Sequence, residues 1–208
     1  MNILIADDHA VVRKGLVQIL KEEFNSAHIT EASNSGEVYA CVRQKVWDFI
    51  LLDISMPGRN GVEILKQLRA DGVKAPILML SMHPEEQYAL RVLKAGASGF
   101  VNKNSAMEEL INAVRKVLSG RKYITPSLAE KIAEGFGSSD KPPHELLSDR
   151  EMQVFQLLAA GKTVSEIATE ISLNVNTIST YRSRILEKMN FTNNAELTRY
   201  ALDHSLLE

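Results

Sequence analysis

The 208-residue sequence predicts an α/β domain on a doubly wound, five-stranded parallel sheet, followed by an all-α domain of four helices. Three observations carry this. Over the first 120 residues, short apolar runs alternate with segments of helical periodicity, the pattern of consecutive βαβ units. A breaker-rich stretch, Gly137-Ser-Ser-Asp-Lys-Pro-Pro143, then interrupts the chain with linker composition. From Leu147 to the end every apolar pattern is helical.

The elements follow in order. Asn2–Ala6 is a short apolar strand ending in Asp7-Asp8, and Val11 to Leu20 carries Val12, Leu16, Ile19 and Leu20 at helical spacing. Ala27–Ala32 reads as a strand and Gly36–Gln44 as a helix. Asp48–Asp53 is a continuous apolar run closed by a carboxylate, as in a strand covered on both faces. Pro57, Gly58 and Gly61 punctuate a loop before a helix at Val62–Arg69. Pro76–Leu80 is the fourth strand, ending at Ser81, and Glu85–Lys94 a helix. Ser98–Asn102 is the fifth strand, ending at Lys103, and Ala106–Leu118 puts Met107, Leu110, Ile111, Val114 and Leu118 on one helical face. Gly120 closes that helix, and Pro126–Phe136 spaces Leu128, Ile132 and Phe136 for one more. The domain boundary is expected in the breaker-rich stretch, giving domains at 1–120 and 145–208 with 121–144 as a helix-bearing linker.

Composition excludes several classes. Hydrophobic residues make up 45% and charged residues 24%, so a disordered or collagenous chain is ruled out. Cys41 is the single cysteine, which forms no internal disulfide and fits a reducing cytoplasm. No apolar run approaches the roughly 20 residues of a membrane span, and the N-terminus meets Asp7 too early for a signal peptide. No membrane partner is expected. No Gly-x-Gly-x-x-Gly follows the first strand, which argues against a dinucleotide site.

Ligands of open α/β sheets sit beyond the carboxyl ends of the strands. Asp7 and Asp8 follow strand one, Asp53 strand three, Ser81 strand four and Lys103 strand five. In the flavodoxin-like order 2-1-3-4-5, strands one and three are neighbours and the three carboxylates converge. Their mutual repulsion tends to raise one pKa. A hard divalent cation that keeps several waters relieves it and leaves room for a phosphoryl oxygen. Any one of these residues alone is an ordinary strand terminus; the whole set in chain order is not.

On these residues, and on the stretch Asp53-Ile-Ser-Met-Pro-Gly-Arg-Asn-Gly61, the first 120 residues resemble the CheY-like receiver domain of bacterial two-component response regulators. The resemblance implies that a sensor histidine kinase, or a small phosphodonor, phosphorylates Asp53. Asp8 and Asp53 would hold Mg²⁺ with the Ser55 carbonyl, and Asp7 would act mostly through metal-bound water. Lys103 would neutralise the developing charge. Phe100 stands where the family carries an aromatic that moves when Ser81 is drawn to the phosphate; plain core packing is the alternative. Asn104 follows Lys103 where the family often has a cis proline, so a trans bond is expected. His9 and His83 lie near the site in sequence; His83 is either a tuner of acyl-phosphate hydrolysis or merely exposed.

In the second domain Ser148 and Glu151 form a capping box at the start of Asp149–Ala160, which Gly161 ends. Thr163 caps Val164–Ile171, Asn174 caps a helix from Val175 to Met189, and Asn193–His204 makes a fourth. A short helix, a tight turn and a longer helix suggest helix-turn-helix. On the third helix Ile178, Ile185 and Met189 share the inner face, with Tyr181 at its edge. Asn176, Ser179, Thr180, Ser183 and Glu187 lie outward, with Arg182, Arg184 and Lys188 to the sides and Thr177 a further DNA-binding candidate. Small polar groups flanked by cations suit a major-groove helix whose cations meet phosphates. Yet residues 145–208 hold six Lys and Arg against nine Asp and Glu, a net of −3, while residues 1–144 are at +1. Weak binding by a single module follows, and the pattern alone also fits a protein-interaction bundle.

Leu147-Ser-Asp-Arg-Glu151, Glu166-Ile-Ala168 and Thr177-Ile-Ser-Thr-Tyr-Arg-Ser-Arg-Ile-Leu-Glu-Lys-Met189 are similar to the DNA-binding domain of LuxR/NarL-type regulators, nearest the BvgA/EvgA/GacA branch. Ser179 and Tyr181 stand where many relatives have lysine and histidine, so the resemblance does not give the DNA sequence read. It implies homodimers through the last helix, with Leu197, Tyr200 and Ala201 as candidates and packing inside one domain as the alternative. It implies a transcription factor gated by phosphorylation, acting on double-stranded promoter DNA with RNA polymerase as a partner. Two other readings are a phosphatase that turns over a phospho-aspartate, and a regulator whose receiver only dimerises.

Overall fold

The first strand, β1 (Asn2–Ala6), is flanked on one side by β2 (His28–Ala32) and on the other by β3 (Phe49–Asp53). β4 (Ile77–Ser81) and β5 (Gly99–Asn102) complete a parallel sheet of order β2-β1-β3-β4-β5. This computed structural model describes residues 1–56, 59–82, 85–135, 142–204, 206 and 207. Pro57, Gly58, His83 and Phe136 therefore lie outside the described residues, as does most of the breaker-rich stretch.

β1, β3, β4 and β5 are short, largely apolar and closed by a polar residue, so their ends are sharp. β3 and β4 are buried at every position, as their unbroken apolar runs require. β2 is at an edge and is correspondingly less buried. Helices α1 (Ala10–Glu23) and α5 (Met107–Leu118) cover one face, where Leu16, Leu20, Leu110 and Val114 meet Ile3, Ile5, Leu51 and Leu80. Leu4, Ile50, Leu52 and Met79, the alternate residues, are buried too, on the opposite face. The other helices of this unit are α2 (Ser35–Gln44), α3 (Gly61–Ala70) and α4 (Glu85–Lys94).

The chain divides into two compact units, Met1–Ala133 and Glu134–Glu208. The first continues past Gly120. Tyr123 pairs in parallel with Gly99 at the outer edge of β5, its N–H donating to the Ser98 carbonyl at 2.8 Å. Its hydroxyl donates to Glu109 of α5 at 3.0 Å, and Thr125 Oγ1 donates to Glu85 of α4 at 2.6 Å. Leu128, in α6 (Pro126–Gly135), is buried. Residues expected as linker thus belong physically to the sheet unit up to Ala133, near the end of α6.

In the second unit a 3-10 turn at Pro143–Leu146 precedes α7 (Asp149–Ala159), α8 (Val164–Glu170), α9 (Val175–Met189) and α10 (Asn194–Asp203). Ser148 and Glu151 form the expected capping box, and Thr163 and Glu166 form a second. Gly161 after α7 has φ of +88°, and Ser172 in the tight α8–α9 connection has φ of +53°. α7 packs against α9 and α10, and α8 against α9. Among the described residues no helix is long and apolar enough to cross a membrane.

Candidate functional site

The polar ends of β1, β3, β4 and β5 stand in line at the carboxyl rim of the sheet. Parallel register sets this: Asp53 pairs with Leu80, and Ser81 with Asn102. The backbone goes on zipping past the strands, with the Lys103 N–H donating to the Ser81 carbonyl at 2.7 Å and the Asp7 N–H to the Ala32 carbonyl at 3.1 Å. Asp7, Asp53 and Ser81 are wholly buried.

Lys103 Nζ lies 2.8 Å from Asp7 Oδ2 and 2.7 Å from Asp53 Oδ2, so one cation bridges two buried carboxylates. Asp53 Oδ1 accepts from the Ser55 N–H at 3.2 Å. Burial pushes the Asp53 carboxyl up to about 6, against the pull of Lys103 and with some help from Asp7. Lys103 is held above its ordinary value: burial opposes this, but Asp53 and Asp7 outweigh it. Above about pH 6, then, Asp53 is ionised and Lys103 charged.

Asp7, Asp8, His9 and Asp53 each place one ligand atom within 4.8 Å of the others. Asp7 Oδ2 and Asp8 Oδ1 are buried oxygens without a well-aligned hydrogen bond. Each faces a basic nitrogen instead, Lys103 Nζ and His9 Nδ1, both at 2.8 Å. Hard oxygen donors with unspent lone pairs fit a divalent cation of the Mg²⁺ class. His9, noted in the sequence only for its nearness, is brought into this cluster by the turn after β1. The Lys103–Asn104 bond is trans, as expected. Phe100 is 2% exposed, with its ring in the core.

Gly61 closes the site from below, donating its N–H to the Ile54 carbonyl at 2.8 Å. A Cβ there would stand 2.1 Å from the Asp53 carbonyl oxygen, so only glycine allows this approach.

On α9, Ile178, Ile185 and Met189 are buried and Asn176, Thr177, Ser179, Thr180, Ser183, Arg184 and Glu187 exposed, as the helical wheel requires. Two of the three flanking cations are engaged. Lys188 Nζ lies 2.6 Å from Glu151 Oε2, and Arg182 Nε donates to Asn194 Oδ1 at 2.7 Å.

The expected dimer residues need correcting. Leu197 and Ala201 are wholly buried, because α10 turns them onto α7, and they present nothing to a partner. Tyr200 is half-buried, stacked on His204 at 3.9 Å and hydrogen-bonded through its hydroxyl to His144 Nδ1 at 2.9 Å. The outward positions of α10 are Ala195, Arg199, Leu202 and Asp203, with Leu202 64% exposed. The two sets lie on opposite sides of one helix, and an apolar count does not separate them.

Two families match this sequence: the response regulator receiver domain over residues 3–115, and the bacterial regulatory proteins of the luxR family over residues 145–201. The chain is 33% identical to "Response regulator UvrY" of Escherichia coli K12, covering 99% of this chain and 95% of that one. It is 36% identical to "Oxygen regulatory protein NreC" of Staphylococcus epidermidis over the full length of both. Its structure is similar to RcsB of Salmonella enterica serovar Typhimurium bound to promoter P1flhDC in the presence of phosphomimetic BeF3− (TM-score 0.67, 27% identity, 96% of this chain and 97% of that one).

Proposed function

Because the chain belongs to the NarL/LuxR family of response regulators, we propose that its phosphorylation-dependent control of transcription runs through Asp53 in the first unit and α9 in the second. One observation carries the first half: Lys103 Nζ sits between two buried carboxylates, 2.7 Å from Asp53, with Asp8 beside them. The receiver extends past Gly120 into α6, and residues 145–208 form the DNA-binding domain.

An ionised Asp53 oxygen attacks the phosphorus of the donor, the P–N bond of a kinase phosphohistidine or the P–O bond of a small acyl phosphate breaks, and the imidazole or carboxylate leaves with the electron pair. Mg²⁺, held by Asp8, Asp53 and the Ser55 carbonyl, with Asp7 acting through bound water, would supply neutralising charge to the transferred group. Lys103 leaves its ion pair with Asp53 and takes a phosphoryl oxygen, keeping its charge compensated. The Ser81 hydroxyl donates to a second oxygen, and the Phe100 ring follows it inward. That rearrangement shifts the populations of resting and DNA-competent forms. The chain's own catalysis is confined to this transfer and to hydrolysis of its own acyl phosphate.

Promoter DNA takes α9 in its major groove, a reading supported by likeness to the promoter-bound RcsB structure. A homodimer supplies two such helices, and avidity offsets the net charge of −3. RNA polymerase is the downstream partner, and the cytoplasm the compartment.

The test measures promoter binding genome-wide with and without acetyl phosphate, for the wild type and for Asp53→Ala. Phosphate-stimulated binding that the variant lacks is the expected result. Equal binding by both, with or without the donor, returns the receiver to a mere dimerising part.

A further inference from the structure

We propose that Arg13 is a positioning residue for the metal site: its guanidinium holds the Asp7–Asp8 peptide and so aims the Asp8 carboxylate. This rests on the reading of Asp7, Asp8 and Asp53 as the Mg²⁺ site of the receiver, and it adds a residue that acts on that site from outside it.

The last pair of the β1–β3 ladder is Ala6 with Leu52. Asp7 and Asp8 therefore take their backbone direction from other contacts. The Asp7 N–H donates to the Ala32 carbonyl at 3.1 Å, which fixes the peptide before Asp7. The Asp7 side chain curls forward, its Oδ1 accepting the His9 N–H at 2.8 Å, the local bond of an Asx turn. The Asp7 carbonyl is taken by Arg13, whose Nη1 donates to it at 2.6 Å. That carbonyl and the Asp8 N–H share one planar peptide. Holding the oxygen fixes the plane from which Asp8 departs, and with it the point where the Asp8 side chain emerges.

Arg13 is itself held. It stands in α1, where its N–H donates to the His9 carbonyl at 2.9 Å. Its Nε donates to Glu31 Oε2 of β2 at 2.9 Å. One planar guanidinium thus spans a β2 carboxylate and the end of β1, a two-point grip that an ammonium on a flexible stem does not reproduce. The Arg13 side chain is 16% exposed, so the grip is largely shielded from water.

Charge alone makes the opposite demand. A cation beside an acidic cluster repels a divalent ion, and this cluster already faces Lys103 and His9. Were Arg13 to act only through its charge, removing it would tighten metal binding. Acting through the Asp7 carbonyl, its removal frees the Asp8 peptide and weakens binding. The sign of the change separates the two.

The experiment takes the full chain and measures Mg²⁺ binding by isothermal titration calorimetry, with Asp8→Asn marking the heat that arises at this site. Arg13→Met keeps an unbranched stem and removes the donors. Its Mg²⁺ affinity should fall about tenfold, although the variant carries one positive charge fewer. Arg13→Lys keeps the charge without the two-point grip, and its affinity should fall between those of Arg13→Met and the wild type. In acetyl phosphate labelling of Asp53, the half-saturating Mg²⁺ of Arg13→Met should rise by the same factor. Its rate at saturating Mg²⁺ should stay within about twofold of the wild type. Circular dichroism without metal checks that each variant is folded; should Arg13→Met not fold, Arg13→Lys carries the test against the wild type alone. Mg²⁺ binding by Arg13→Met as tight as the wild type or tighter, or by Arg13→Lys no weaker than the wild type, overturns the proposal and leaves the site as read. Wild-type Mg²⁺ heat that Asp8→Asn leaves unchanged overturns the reading of the site and the proposal with it.

Discussion

Lys188, near the end of α9, is ion-paired to Glu151, the third residue of α7, at 2.6 Å. Glu151 is also the capping-box acid of α7, taking the Ser148 N–H at 2.7 Å. One carboxylate thus closes the start of α7 and pins α9. Glu151→Ala should destabilise the unit by about 1–3 kcal/mol through a lost cap and an unpaired partner. Chemical denaturation monitored by circular dichroism reads it; an unchanged midpoint refutes the double role.

The same group sets an acid limit. Burial pushes the Glu151 carboxyl up, but the Lys188 hydrogen bond and the Ser148 amide outweigh it and hold it below its ordinary 4.5. The folded state binds this proton more weakly than the unfolded chain. Its stabilising contribution is therefore complete above pH 4.5 and lost as pH falls through the lower, folded value. Stability between about pH 5 and 3 should fall less steeply in Glu151→Gln than in the wild type.

Lys103→Met removes the bridge and leaves Asp7 and Asp53 facing each other without compensation. Asp53 should then keep its proton to higher pH than the present value of about 6. Phosphorylation by acetyl phosphate should slow on the order of 100-fold at neutral pH. A rate within a factor of about two of the wild type would remove Lys103 from the transfer.

Gly61→Ala tests the floor of the site. The added Cβ at 2.1 Å from the Asp53 carbonyl must push β3 and α3 apart. A loss of about 1–3 kcal/mol is expected, together with slower phosphorylation because Asp53 moves. A variant as stable and as fast as the wild type would show that the close approach is dispensable.

Tyr123 gives an alkaline signature. Burial, with Glu109 and Glu85 adding to it, pushes its hydroxyl up to about 12. Its folded-state stabilisation is whole below pH 10 and lost as pH rises toward 12. In an ultraviolet titration a tyrosine step should appear near pH 12. Tyr123→Phe should delete that late step and no other.

Strand positions are legible because each apolar run is bounded by a polar residue: Asp7, Asp53, Ser81 and Lys103 are both boundaries and chemistry. β1, α4 and α9 have the expected limits, and other ends differ by a residue or a few. What the sequence hides is tertiary. Lys188 finds a partner 37 residues away, which no local spacing reveals. Leu197 and Ala201 are apolar on a surface-like helix, and only the position of α7 decides that they face inward. Tyr123 adds to the sheet from a stretch too short and too polar to read as a strand. Thr163-x-x-Glu166, by contrast, is a capping signal that local spacing does reveal, although the expectation rested on its threonine alone.

The Tyr123 pairing also bears on solubility. Open sheet edges are templates for adhesion between molecules, and parallel α/β sheets have two of them. Here the residues just past α5 lay one backbone unit across the β5 edge and fix it by side chains to α4 and α5. A chain ended at Gly120 would bare that edge and aggregate more readily, while one ended after Leu128 would keep its guard.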